Sequence, residues 1–190
     1  MTDVDREAYL DSVLIGGREP VTIVVTDPDP EWPARFRAVR DRIRAALGSA
    51  ALDVEHIGST SVPGLAAKPI VDVLVVVADV EDEPAYLPAL EDAGFVLRVR
   101  EPEHRMVRTP GRDVHVHLYA AGHRAIADYL DLRDWLRHDR ADRELYARTK
   151  RDLARRPWSD MNDYADAKTD VIREVLQRAR SWRATTGDRR

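Results

Sequence analysis

The run Ile70-Val71-Asp72-Val73-Leu74-Val75-Val76-Val77 limits the fold of this chain more than any other stretch. Apart from Asp72 it is apolar and largely β-branched, which reads as a strand buried on both faces. Asp72 breaks the pattern. An unpaired carboxylate among buried neighbours is costly, so Asp72 needs a partner, a metal or a strand-edge position. Alternate side chains of a strand share a face, and the residue placed to share a metal with Asp72 is therefore Leu74, which has no ligand atom.

The fold class expected from the whole chain is α+β, a mixed sheet with flanking helices closed by a C-terminal helical subdomain. At 190 residues one domain, or one domain with a helical extension, is expected. Residues 1–19 read as an N-terminal appendage, a short polar helix with Leu10, Val13 and Leu14 on its apolar face and a Gly16-Gly17 turn. The α/β core is expected over 20–121. Val21 to Val25 alternates as a strand does, and Asp29 before Pro30 is a helix start. Trp32, Phe36, Val39, Ile43 and Leu47 then form a helical stripe ended by Gly48.

A strand near 51–57, the Gly58 to Pro69 loop and the strand 70–77 make the central unit. A helix near 84–93, a strand at 95–99 and a hairpin of 105–109 with 114–119 follow. Helices are expected at 124–138, 140–154 and 160–182, within a helical subdomain spanning 122–183 and packed on the core. Residues 184–190 read as a flexible tail.

Composition excludes several chemistries. With 34 acidic and 30 basic residues the net charge is −4, which supplies no overall basic field for duplex nucleic acid. The sparse aromatics give a nucleic-acid partner no support either. The absence of cysteine removes disulfides, thiolate zinc sites and cysteine nucleophiles. No apolar run approaches the ~20 residues that span a bilayer, and no signal peptide is evident, so a cytoplasmic location without a membrane partner is expected. Of the basic residues only Lys68, Lys150 and Lys168 are lysine, and the remainder are arginine. In such a chain each lysine raises the question of whether a compact ammonium is needed there.

Candidate site residues fall in three groups. His56, Gly58, Ser59, Thr60, Ser61 and Lys68 form a loop in which glycine permits close approach of an anion, hydroxyls donate and an ammonium adds charge. An ordinary Ser/Thr turn bounded by Pro63 and Gly64 is the other reading of that loop. His115 and His117 project to one face of a strand and offer a metal half-site or an anion contact. Arg133, Lys150 and Lys168 lie in or beside the apolar stripes of three successive helices, a pattern matched by a buried anionic ligand or by salt bridges to nearby aspartates.

Several segments carry a family resemblance: Glu31-Trp32-Pro33 with Phe36, the stretch Glu55 to Asp72, the strand His115-Val116-His117-Leu118-Tyr119, and Leu132-Arg133-Asp134-Trp135-Leu136-Arg137. Tyr146 with Lys150 and Tyr164 with Lys168 extend it. They resemble the GrpB (UPF0157-type) family of the nucleotidyltransferase superfamily, also found fused to dephospho-CoA kinases. The resemblance implies a nucleotidyltransferase-like mixed sheet in which Gly58 and Ser59 position nucleotide phosphates and Asp72 holds a divalent metal, magnesium or manganese. A nucleoside triphosphate is the implied cofactor and an anionic small molecule or nucleotide the implied partner, with Asp72 and Ser59 as catalytic candidates.

The sequence departs from that pattern at Leu74, where the superfamily's second carboxylate would stand. Its third would fall near His115 or His117, so Asp72, His115 and His117 become the metal candidates, and manganese or zinc becomes an alternative to magnesium. Two readings follow: nucleotidyl or phosphoryl transfer to an unknown acceptor with an incomplete acidic metal site, or a non-catalytic module binding a nucleotide or phosphorylated metabolite, linked by the fusions to coenzyme A metabolism.

Overall fold

The computed structural model describes residues 3–186. Its helices are α1 (Asp3–Val13), α2 (Trp32–Leu47), α3 (Leu87–Asp92), α4 (Arg124–His138), α5 (Arg140–Ala154), α6 (Met161–Asp166) and α7 (Thr169–Thr186). Its strands are β1 (Asp53–Ile57), β2 (Val71–Val77), β3 (Val96–Glu101), β4 (His104–Arg108) and β5 (Val114–Ala120).

The strands form one mixed sheet in the order β1-β2-β5-β4-β3. β2 runs parallel to β5, and the other neighbours are antiparallel. The apolar run behaves as its pattern requires. Val71, Val73, Val75 and Val77 face α2 and α3, where Ile43, Leu47, Leu90 and Phe95 complete the main core. Leu74 and Val76 face the other way, against Ile57, Tyr119 and Leu130 of α4. Only Asp72 in β2 is not fully buried.

Several boundaries differ from expectation, each for a physical reason. Val21 to Val25 forms no strand; the nearest pairing is a single bridge between Thr26 and Ala67. Its alternation is nevertheless used, because Val21, Ile23 and Val25 pack against Leu153 and Tyr164 of the helices. Asp29 accepts from the Glu31 amide instead of capping a helix beginning at Pro30, so α2 starts at Trp32 with Pro33 in its first turn. The helix expected over 84–93 is a 3₁₀ turn, Glu83–Ala85, followed by α3, which carries Pro88 in its first turn.

The helix expected over 160–182 is two helices. Asp160 caps α6 by accepting from the amides of Asn162 and Asp163, and α6 ends in a turn that carries Lys168 before α7 begins. α7 extends to Thr186 and so includes the start of the expected tail, while residues 187–190 lie outside the described residues.

The segment read as an appendage is built into the molecule. Leu10, Val13 and Leu14 are buried against Val99 of β3, and Arg98 donates to the carbonyls of Ile15 and Gly17. Arg6 and Arg18 bind Asp163 and Asp160 around α6. No helix of the described residues is long and apolar enough to cross a membrane.

Candidate active site

Because β2 and β5 are parallel neighbours in the register Asp72 to His115 and Leu74 to His117, the three candidate metal ligands meet on one face of the sheet. Asp72 Oδ1 stands 3.7 Å from His115 Nδ1 and 4.0 Å from His117 Nε2. One ligand atom from each of the three residues lies within 4.8 Å of the others. Burial raises the Asp72 carboxyl above its ordinary range, with His115 and the lysines pulling in the opposite direction. Burial also lowers both histidines, His117 strongly, so the electron pairs of their rings are not capped by protons at neutral pH.

This face opens into a cavity of about 370 Å³ under α4 to α7, lined among others by Gly58, Ser59, Lys68, Asp72, Lys150 and Lys168. All three lysines of the chain therefore meet in one hollow. Lys150 Nζ donates to Ser59 Oγ at 2.8 Å and to the carbonyl of Ala66, and lies 4.6 Å from the Tyr146 ring centroid. Lys68 and Lys168 stand 5.2 and 4.8 Å from the Tyr164 ring centroid.

Among the described residues no lysine ammonium stands within ion-pair distance of a carboxylate, whereas arginines form the protein's many ion pairs. Burial pushes the Lys68 ammonium down to about 8, with Lys168 adding repulsion. Lys150 and Lys168 are lowered by burial as well. The buried Lys150 and the partly buried Lys68 and Lys168 facing one carboxylate make a site that can take further negative charge.

Gly58 fits the site through close approach. Its φ of +67° lies in the left-handed half of backbone space, and a Cβ placed there would meet Asp72 Oδ2 at 2.3 Å. The carboxylate thus rests directly over the glycine backbone.

The remaining candidates of the loop turn away from the cavity. His56 faces α2, stacks on Phe36 with ring centroids 4.5 Å apart, and has Nε2 3.1 Å from Thr60 Oγ1. Thr60 donates to the Ile70 carbonyl and Ser61 to that of Gly58. These three hold the loop's shape. Arg133 lines the cavity, but its guanidinium is occupied: it donates to Glu55 at 2.6 Å, to Asp134 at 2.8 Å and to the His56 carbonyl. Of the two explanations for Arg133, anion or salt bridge, the geometry places it in the second.

Three contributors were not among the candidate site residues of the sequence. Tyr146 lines the cavity and hydrogen-bonds Ser59, with its phenol pushed up to about 12 by burial. Its four-residue spacing from Lys150 was the available signal. His104 of β4 stacks on Tyr119 and reaches His117, with its Nε2 3.2 Å from His117 Nδ1 and its Nδ1 2.7 Å from Glu101. Nothing local marks His104 or Glu101.

A second hollow of about 360 Å³ adjoins the first and shares Leu14, Lys68, His115 and Met161 with it; Arg98, Arg108 and Glu19 line its far side. The boundary between the hollows therefore runs beside Asp72.

The donor set does not suit magnesium. Magnesium favours oxygen ligands in near-octahedral array, yet two of the three candidate ligands are imidazoles, and the position beside Asp72 is Leu74, fully buried in an apolar cluster.

Comparison with known proteins agrees with this architecture. The chain is 58% identical over 166 residues to a UPF0157 protein of Streptomyces coelicolor, covering 87% of this chain and 89% of that protein. It is 30% identical over 199 residues to a dephospho-CoA kinase of Mycolicibacterium paratuberculosis, covering 90% of this chain and 48% of that enzyme. The crystal structure of the conserved protein GrpB from Enterococcus faecalis superposes with a TM-score of 0.74 at 32% identity, covering 84% of this chain and 99% of that one.

A chain in the structure of the GLD-2/RNP-8 complex matches with a TM-score of 0.50 at 17% identity over 66% of this chain and 54% of that one, a likeness of fold alone. The fold shared with these structures is a five-stranded mixed sheet with flanking helices. The GrpB protein family model matches residues 22–178, and with the relatives above this shows that the chain belongs to the GrpB family.

Proposed function

We propose that this protein is a transferase of nucleotidyl or phosphoryl groups that binds a nucleoside triphosphate in the lysine-lined cavity and its acceptor in the adjoining hollow. The observation that carries this reading is the convergence of Lys68, Lys150 and Lys168 with Ser59 around Asp72, none of the three within ion-pair distance of a carboxylate among the described residues. Phosphoryl and nucleotidyl transfer depend mainly on positioning and on charge placed at the phosphate oxygens, which such a cluster supplies. Lys150 and Ser59 form a rigid donor pair, Lys68 and Lys168 add charge, and the Tyr146 and Tyr164 rings keep the ammonium groups in place.

Calorimetry with ATP, GTP, CTP and UTP tests the reading. At least one should bind, and Lys150→Met or Lys168→Met should weaken it by roughly 10- to 100-fold, the equivalent of one charged hydrogen bond. If none of the four binds, the reading fails.

A protonation signature should accompany binding. Free Lys68 loses its proton above about pH 8. A bound polyanion restores that proton, so calorimetry at pH 8.5 to 9.5 in buffers of different ionisation enthalpy should show proton uptake that Lys68→Met reduces.

Leu74 favours a second reading, a binding module that keeps the anion cavity without chemistry. Nucleotide binding without turnover over a panel of phosphorylated acceptors, including precursors of coenzyme A, would favour it over transfer.

A further inference from the structure

Asp72, His115 and His117 each turn one possible ligand atom to a common point, all within 4.8 Å of one another. The distances of 3.7 and 4.0 Å from Asp72 Oδ1 to His115 Nδ1 and His117 Nε2 are too long for hydrogen bonds. A hydrogen-bonded series of side chains stands behind His117. The Glu101 carboxylate only accepts, so His104 Nδ1, 2.7 Å away, must donate to it. His104 Nε2 lies 3.2 Å from His117 Nδ1 and can accept from it. That arrangement leaves the electron pair of His117 Nε2 directed at Asp72 Oδ1. Tyr9 donates its hydroxyl to Glu101 at 2.8 Å and fixes the outer end of the series.

A carboxylate oxygen and imidazole nitrogens facing one another repel unless a cation lies between them. Ligand atoms bound at about 2.1 Å to one tetrahedral ion stand about 3.4 Å apart, a spacing that small side-chain rotations would reach here.

We infer that Asp72, His115 and His117 form a site for a divalent ion that accepts imidazole, of the zinc or cobalt type and not magnesium, and that Glu101 and His104 are positioning residues that orient the Nε2 electron pair of His117 toward it. Imidazole ligands suit zinc and its first-row neighbours, and the one carboxylate adds an anionic ligand without creating an oxygen cage. A hydrogen-bonded carboxylate–histidine pair behind a ligating histidine fixes its tautomer and raises its basicity. This inference deepens the transfer reading by naming the ion that would stand beside the lysine-bound phosphates.

The test uses the full chain stripped with chelator and titrated with cobalt(II), without nucleotide, so that its outcome is separate from that of the transfer reading. One equivalent of cobalt should bind with visible d–d absorption; zinc should displace it, and a large excess of magnesium should not. Asp72→Ala and His117→Ala should abolish the absorption. Glu101→Gln should weaken cobalt binding by roughly 10- to 100-fold while leaving the circular dichroism spectrum unchanged.

Absence of saturable cobalt binding by the unaltered protein, or its displacement by magnesium, overturns the ion assignment whether or not the variants fold. Unchanged cobalt affinity in a folded Glu101→Gln protein overturns the positioning role. Cobalt binding with no affinity for any nucleotide would reject the transfer reading and leave this site standing.

Discussion

Replacing Gly58 with alanine is expected to damage stability and the site together, more than alanine at any other of the described glycines. The substitution forces a φ of +67° on a residue with a Cβ and drives that atom to 2.3 Å from Asp72 Oδ2. The backbone conformation alone costs about 1–3 kcal/mol, which in a protein of this size lowers Tm by roughly 2–12 °C. The clash adds a specific effect, because Asp72 must leave its position over the loop, and divalent-ion binding should be lost with it.

Gly64→Ala is the control. Gly64 has a similar φ of +76°, but its added Cβ would meet nothing within 4 Å. It should therefore pay the conformational cost and keep the ion. Thermal unfolding and cobalt titration of both variants check this; equal losses of ion binding would show that loop distortion, and not the approach of Asp72, is responsible.

The second large effect is expected in acid. His56 is buried between Phe36 and the loop, and burial, aided by Arg137 and Arg133, lowers its imidazole to about 4. Its neutral form is the folded form. Below an ordinary histidine value near 6.5 the unfolded chain gains a proton that the folded chain refuses, so stability present above pH 6.5 is lost as pH falls to about 4. The full loss attributable to this group is about 3 kcal/mol.

Carboxylates held by arginine, such as Glu19 and Glu83, lowered to about 2, give up their contribution at lower pH. His115 and His117 titrate in the same direction as His56 and Asp72 in the opposite one, so the informative quantity is the difference between wild type and His56→Gln. Urea unfolding at intervals from pH 7 to 4 should show a shallower decline in the variant. Parallel curves would mean that His56 is not the group responsible.

These expectations also show which parts of the molecule were legible before folding was considered. α4 and α5 fall where apolar periodicity places them, because a helix is specified by neighbours three and four residues apart. The shared face of His115 and His117, and that of Asp72 and Leu74, follow from the two-residue period of a strand. Val21 to Val25 shows the boundary of such reasoning. Its alternation correctly marks an inward face, but whether a sheet or helices cover that face depends on partners far along the chain.

Local patterning thus determined the buried strand with one acid in it, the glycine loop before it, the paired histidines and the helical cations Arg133 and Lys150. Only the tertiary structure decided which of these meet. The parallel pairing of β2 with β5 sets Asp72 beside His115, and the turn between α6 and α7 brings Lys168 to the cavity that Lys68 and Lys150 also line. Packing also turned His56, Thr60 and Ser61 inward, tied Arg133 to Glu55 and Asp134, and placed Glu101 and His104 behind His117. The reason is physical. A residue's face is set by backbone period within its own element, whereas convergence is set by sheet order and helix docking, which depend on contacts between residues distant in the chain.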